Sequence, residues 1–434
     1  MKQRRVKINI KGDKKVKGIA LILSLSIALV CMPLLSGCGN VTSNRDEIIV
    51  ISDTHLGADD SFSETKENKE KLVVFLKGIR DSKTTAELVI NGDLVDEWFL
   101  PMNYEMPDTL SEFNDLVVKN NQGIFDELNG IITDGKIKVT YIPGNHDINF
   151  DEEEAERLLP GINQARDSEG LGTYLIDGND IAIEHGHRYN FFCAPDPLSN
   201  RDIVGHENSI LPCGYFFTRI AASSAIEGQP KTNNILPDFE PNMEDAIQMG
   251  YYYYFMDWKS LMTTFPVTES FSDKAIKTNI DGYSNDYAID DFIPFQNTDG
   301  DISVNLYNGI VENWVKRETI NNVEVPIDLK EAIVGAPNGD FTDSQAIQQY
   351  FYKGSTTKLI VFGHSHEAKL LKTTNTDGND VIYANSGTWI DHVQKYETRT
   401  YLLIKRSDKE ITVGLYKIAD DGTSVKLSEE IITK

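Results

Sequence analysis

Cysteine is scarce in this chain: four in 434 residues, too few for a disulfide framework, and two of those fall within the first 38 positions. Basic residues are also in deficit. Lys and Arg number 42 against 67 Asp and Glu, a formal net charge of −25. Phosphate backbones are bound by basic surfaces, so this balance excludes bulk nucleic-acid binding. It also disfavours attraction to anionic membrane surfaces. Long apolar runs are missing except at the N-terminus, and no internal repeat or low-complexity tract is visible. What is present is ordinary. Hydrophobic residues at 40% and charged residues at 25% fit a soluble globular protein. The length allows a large core and more than one folded unit.

The N-terminus departs from this average. Residues 1–17 carry eight basic residues and one acid, Asp13. The apolar run "GIALILSLSIALVCMPLLSGC" follows and ends in small residues. Basic, then apolar, then small is the layout of a secretory signal. Leu35, Ser36, Gly37 and Cys38 resemble the bacterial lipobox, which implies cleavage before Cys38 and its lipidation. An uncleaved membrane anchor is the other reading of the same run. Both put the rest of the chain outside the cytoplasm. The expected layout is a signal peptide at 1–37, a lipidated tether at 38–46, and attachment to the cell membrane or envelope through the lipid. Removing 1–37 makes the chain more acidic still. Cys193 and Cys213 are then left to pair as a disulfide or to remain buried thiols.

Beyond residue 46, β-type runs alternate with helical spacings. "EIIVISDTHLG", "ELVINGDLVDEW", "KVTYIPGNHD" and "DIAIEHGHRY" read as strands. Leu72, Val73, Phe75, Leu76 and Ile79 recur at helical spacing between the first two. This alternation predicts βαβ units and a mainly parallel sheet. It breaks at 191–355, which is rich in aromatics and turns and reads as a mostly helical insert or cap. "KLIVFGHSH" resumes the pattern, and the later strands read as meanders in a second sheet. The domain proper is therefore expected at 47–190 and 356–434.

Histidine is scarce too, with eight in the chain, yet six of them lie just after β-type runs beside Asp, Asn or Gly. The clusters are "SDTH" (Asp53, His55), "NGDLVD" (Asp93, Asp96), "GNHD" (Asn145, His146, Asp147), "EHGH" (His185, His187) and "GHSH" (His364, His366). Open α/β sheets gather ligand sites outside the carboxyl ends of their strands. In extended backbone, residues i and i+2 face the same way, so Asp53 with His55, and His364 with His366, could each aim two ligands at one place. Five such clusters together point to a metal centre. Imidazole and carboxylate without thiolate suit manganese, iron or zinc better than magnesium or calcium.

These five motifs resemble those of the calcineurin-like metallophosphoesterases, over roughly residues 46–190 and 356–418. The resemblance implies an α/β fold in which a two-sheet β-sandwich is flanked by helices. It implies two divalent or trivalent transition-metal ions, with manganese first and iron or zinc next. One would be held by Asp53, His55, Asp93 and His366, and the other by Asp93, Asn145, His185 and His364. It further implies that His146 protonates a leaving-group oxygen and that Asp147 orients it. The substrate would be a small phosphate mono- or diester, attacked by a hydroxide shared between the metals. His187 could touch substrate or support a ligand. Arg188 could bind a phosphate oxygen or form an ordinary ion pair. "ISDTHLG", "GDLVDEW" and "HGH" also resemble the UDP-diacylglucosamine pyrophosphatase branch, although that branch usually has Arg at the position of His146. A nucleotide or lipid pyrophosphatase is thus one alternative, and a non-catalytic binding lipoprotein is another.

Overall fold

The structure is a computed structural model that describes residues 45–205, 208–393 and 395–434. The signal segment, Cys38, most of the tether, and His206 lie outside the described residues. Among the described residues, no helix is long and apolar enough to cross a membrane.

The first part alternates as its periodicity predicts. In chain order it contains β1 (Glu47–Ile51), α1 (Lys69–Asp81), β2 (Thr85–Asn91), α2 (Leu110–Asn120), α3 (Gln122–Asp134), β3 (Lys138–Ile142), α4 (Glu152–Leu158) and β4 (Asn163–Gln164). β1 to β4 pair in parallel. α2 starts on a capping box: the Thr109 hydroxyl accepts from the Glu112 N–H, and the Glu112 carboxylate accepts from the Thr109 N–H. β5 (Thr173–Ile176) and β6 (Ile181–Glu184) then form an antiparallel pair.

Between the two parts lie α5 (Arg201–Val204), α6 (Gly214–Ile226), α7 (Ala246–Thr264), β7 (Ile276–Lys277), β8 (Asp286–Tyr287), β9 (Phe295–Gln296), β10 (Ile302–Ser303), α8 (Trp314–Ile320), α9 (Leu329–Gly335) and α10 (Gly339–Tyr350). The four short strands form two small antiparallel pairs. α7 buries Tyr251, Tyr254, Phe255 and Trp258 along one helical stripe, whereas Tyr252 and Tyr253 are only partly buried.

The last part contains β11 (Leu359–Phe362), β12 (Lys369–Thr374), β13 (Asp380–Asn385), β14 (Thr400–Arg406), β15 (Glu410–Ile418) and β16 (Ser424–Thr433). Two sheets result, with strand orders β16-β15-β14-β1-β2-β3-β4 and β12-β13-β11-β6-β5. This corrects the sequence reading in two places. β6 does not extend the parallel sheet but sits in the second one beside β11. β14 does not stay with β11–β13 but returns to lie antiparallel against β1. All five residues of β1 are buried, so its free edge must be covered, and the sequence pattern does not say by which strand.

The alternation of side chains explains the layers. Ile48, Val50 and Val89 of the first sheet meet Ile181, Ile183, Leu359 and Val361 of the second, forming the sandwich interior. Ile49, Ile51, Leu88 and Ile90 point the other way, onto Leu72, Leu76 and Phe125 of α1 and α3. On the second sheet the opposite set, Ala182, Ile360, Phe362, Val381 and Tyr383, faces the insert. The insert therefore does for the second sheet what α1–α3 do for the first. Each fully buried aliphatic or aromatic side chain in these layers stabilises the fold by roughly 1.5–3 kcal/mol.

Candidate metal centre

Every ligand candidate lies just beyond a strand end. Asp53 and His55 follow β1, Asp93 follows β2, Asn145 follows β3, His185 follows β6, and His364 and His366 follow β11. The backbone there is not extended, contrary to the i, i+2 argument. Asp53, His55, Asp93, His364 and His366 all have positive φ, between 42° and 66°. For residues with a Cβ this left-handed region costs of order 1–3 kcal/mol each and persists only where surrounding contacts over-determine it. Those contacts are present. The N–H groups of Asp53, Thr54 and His55 donate to the carbonyls of Gly92 and Asp93, which stitches the β1 and β2 loops together. The Asp53 carbonyl accepts from the Trp389 N–H at 3.0 Å and the Thr388 hydroxyl at 2.9 Å. Two glycines leave room for the ligands. A Cβ on Gly92 would strike the His185 ring, and one on Gly144 would strike the Asp93 carboxylate.

The side chains converge into two clusters. Asp53, His55, Asp93 and His366 form one, and Asp93, His185 and His364 form the other; in each, the ligand atoms lie within 4.8 Å of one another. Asp93 belongs to both. Asn145 joins the second, with its Oδ1 2.8 Å from His364 Nδ1. Within the first, His55 Nε2 lies 3.0 Å from His366 Nε2, and His366 Nε2 lies 3.2 Å from Asp53 Oδ1. Asp93 Oδ2 and His185 Nε2 are buried 3.1 Å apart and face each other. A carboxylate oxygen and an imidazole nitrogen buried face to face, with the other ligands aimed at the same place, are what a cation would satisfy once it displaces any proton between them. The donor set of carboxylate, imidazole and one amide oxygen fits a divalent metal ion.

Supporting bonds fix which ring nitrogens face the centre. His55 Nδ1 lies 3.1 Å from Asp96 Oδ2, and His185 Nδ1 lies 2.7 Å from the Asn91 carbonyl. With each Nδ1 held as a donor, Nε2 is left to bind metal. Burial alone would lower the His55 pKa, but the hydrogen bond to Asp96 and the charges of Asp96 and Asp93 outweigh it and raise it to about 10. For His185, burial is likewise outweighed, by Asp93 and Asp53, and the pKa rises to about 9. His364 moves the other way, to about 3, because burial is reinforced by repulsion from His185. The facing imidazoles overcome burial and hold the Asp53 carboxyl below its usual range, and Asp93 well below it.

A consequence can be measured. With their pKa values raised above neutrality, His55 and His185 are expected to hold a second proton, at Nε2, near pH 7 in the metal-free protein, and a metal ion must displace both. Zinc or manganese titrated into metal-free protein near pH 7 is expected to release about two protons per filled site pair. Affinity should rise with pH until these imidazoles lose their protons, and should weaken as pH falls. Calorimetric titration in two buffers of different ionisation enthalpy gives the proton count. A count near zero would refute the protonated state of these two ligands in the metal-free protein.

His146 stands beside the first cluster without belonging to either ligand set. Its ring stacks on Trp98 with centroids 5.0 Å apart and meets His55 edge-on at 4.4 Å. Its Nδ1 lies 2.8 Å from Asp96 Oδ1, so Asp96 and not Asp147 orients it. That corrects the role assigned to Asp147. The Asp147 carboxylate accepts from the Gly144 and Leu94 N–H groups, both at 2.7 Å, and ties the β2 loop to the β3 loop. Asp147 is fully buried with both oxygens taken by these N–H groups, which leaves the imidazole to Asp96, 50 positions away in the sequence. Burial lowers the His146 pKa, but the Asp96 charge prevails and raises it.

The substrate contacts proposed from sequence do not hold for Arg188. It is 4% exposed, paired with Glu184 at 2.8 Å and Asp167 at 2.6 Å, and donates to the Asn321 carbonyl. It bridges the second sheet to the insert. His187 is buried behind His185 and lies 2.8 Å from the Gly170 carbonyl through Nε2. Cys193 and Cys213 are free thiols, so the optional disulfide is not formed; burial raises both thiol pKa values. His392 is exposed. Sequence reasoning missed Asn91, which bonds His185 and, through its amide, the Glu184 carbonyl. It also gave no role to "NSGTW", whose Asn385, Thr388 and Trp389 hold the ligand loops. Glu64 was missed as well; its carboxylate lies 3.6 Å from His55 Nδ1. Asn91 opens the "NGDLVD" motif but acts on His185 through its backbone carbonyl, which no side-chain pattern reveals, and Glu64 lies outside every motif.

Residues 47–221 match the family model of calcineurin-like phosphoesterases, and the chain carries a domain of that family. No curated protein sequence matches the chain. Among solved structures it is similar to Vps29 from Chaetomium thermophilum, at 8% identity and a TM-score of 0.31, covering 90% of this chain and 99% of that one. A predicted phosphoesterase from Streptococcus pneumoniae is similar at 9% identity and a TM-score of 0.29, covering 90% and 98%. The nuclease MPE from Pseudomonas putida is 16% identical over 35% of this chain and 56% of that one, with a TM-score of 0.21. Likenesses this slight carry no argument about chemistry. The family and the Asp/His clusters together support a phosphoesterase that uses divalent metal ions.

Proposed function

We propose that this protein hydrolyses a phosphate mono- or diester at a dinuclear metal centre. The observation that carries the reading is the sharing of Asp93 by two ligand clusters. One ion would take Asp53, His55, Asp93 and His366, and the other Asp93, Asn145, His185 and His364. When bound, such ions supply Lewis acidity toward phosphoryl oxygens and activate water. Manganese is the ion we propose, and iron or zinc fits the same donors. Only two carboxylates, Asp53 and Asp93, stand among the ligands. Two divalent charges would therefore leave the pocket cationic on an acidic protein, which suits an anionic ester.

The chain's own residues do the rest. Asp96 holds Nδ1 of His146 as a donor and keeps the ring protonated toward higher pH, so Nε2 can give a proton to the leaving oxygen. Trp98 sets the plane of that ring. Asp93 also accepts the His146 N–H at 2.8 Å, which fixes the acid relative to the shared ligand. The test is an activity screen of the 39–434 fragment with manganese against monoesters, diesters and pyrophosphates. Turnover of pyrophosphates alone would move the reading to a pyrophosphatase. Tight binding without turnover of any class would overturn it in favour of a binding protein.

We further propose that the chain acts at the cell envelope, held by a lipid on Cys38. The support is the lipobox-like "LSGC" after a basic and apolar segment. Cys38→Ser is expected to accumulate as a larger, unprocessed precursor. Maturation of the variant to wild-type mass with unchanged membrane attachment would favour an anchor instead.

A further inference from the structure

The loop that carries His364 and His366 rests on the insert. Both histidines have positive φ, 66° and 60°, and Ser365 lies between them. The Ser365 hydroxyl donates at 3.1 Å to Oδ1 of Asp343, a residue of α10 that is only 6% exposed. The same oxygen accepts from the Tyr383 hydroxyl at 2.5 Å and from the Asn385 amide at 3.3 Å. Asn385 in turn donates to Ser365 Oγ at 3.0 Å and to the Gly363 carbonyl at 2.7 Å. The other Asp343 oxygen takes the Lys369 ammonium at 2.6 Å. Asp340, Asp343 and Glu367 together could be mistaken for a further metal site. Lys369 is the cation there, within 2.6 Å of all three.

We propose that Asp343 is a positioning residue for the metal ligands His364 and His366, acting through Ser365. It rests on the dinuclear reading above, since it concerns how two of those ligands are held. Three features make the case. The histidines occupy a backbone region that needs outside restraint. The residue between them is fixed from two sides, by Asp343 of the insert and Asn385 of β13. One histidine belongs to each cluster, so loosening the loop disturbs both sites. The insert is then part of the metal centre's scaffold and not a detachable cover.

The experiment is calorimetric titration of manganese into the metal-free full chain, wild type and variants, with melting curves and circular dichroism as fold controls. Removing a group that orients a metal ligand typically costs 10–100-fold in affinity. Asp343→Ala is expected to weaken binding at both sites by about that factor while the fold persists. Asp343→Asn keeps an acceptor for Ser365 and should retain most of the affinity. Ser365→Ala should weaken binding several-fold, and combined with Asp343→Ala it should add little, because both cut the same link. Wild-type affinity in Asp343→Ala, or full additivity of the two changes, overturns the proposal. If Asp343→Ala does not fold, Ser365→Ala decides: unchanged affinity there overturns it. Failure of the wild type itself to bind metal would instead overturn the dinuclear reading, and this inference with it.

Discussion

Asp93→Asn is expected to strip metal from both clusters at once. The substitution keeps the size of the side chain and an oxygen to accept the His146 N–H, so the loop loses little. It removes the one charge that both clusters share. Asp93 Oδ2 is buried and faces two imidazoles, lying 3.1 Å from His185 Nε2 and 3.5 Å from His55 Nε2. Loss of an outer partner of a metal ligand costs about 10–100-fold in affinity, and loss of a shared ligand charge should exceed that. His366→Ala is the contrast: it touches the first cluster alone and should leave the second largely filled. Elemental analysis after dialysis, with titration of the stripped proteins, reads both. Normal metal content in Asp93→Asn would end the two-site assignment.

His146→Ala should separate substrates by their leaving groups. The imidazole lies outside the two clusters that share Asp93, and it is oriented by Asp96 and raised in pKa by it. A general acid typically contributes 10²–10⁴-fold by protonating the departing oxygen. A nitrophenolate leaves as a stable anion and needs little of this help, whereas an alkyl alkoxide needs nearly all of it. The variant, with its metals retained, is expected to slow alkyl esters by about 10²–10⁴-fold. It should slow nitrophenyl esters at least about tenfold less. Equal losses at constant metal content would assign His146 to holding the phosphate.

The metal centre was legible in the sequence because each ligand interrupts an apolar strand at its end. One polar residue at such a position is usually a turn residue, but five clusters of Asp, Asn and His are not, and Asp53, His55, Asp93, Asn145, His185, His364 and His366 do converge in space. What supports them was less visible. Asp96 and Asp147 each sit a short step from a strand end, and spacing alone cannot tell which carboxylate reaches the His146 ring. The sequence offers Asp147 as the adjacent residue, whereas the fold turns it beneath the loop. Strand partners were illegible for a related reason. β1 and β6 are buried throughout, so they show that they are central without showing what lies beside them. The burial of Arg188 depends on Asp167 and Asn321, which no local pattern could bring to it.

His55 and His366, whose ring nitrogens meet at 3.0 Å, are separated by 311 positions in the chain. The centre is therefore completed late in biosynthesis. A nascent chain that has already made β1 and β2 holds Asp53, His55 and Asp93 but must wait for β11 and the loop after it. Contacts of such long range are slow to form. On the dinuclear reading proposed above, an ion can be held by the full ligand set only in the surroundings in which the last histidines fold. On the exported reading proposed above, that moment comes after translocation. The metal identity of the mature protein would then report the ion supply outside the cell's cytosol.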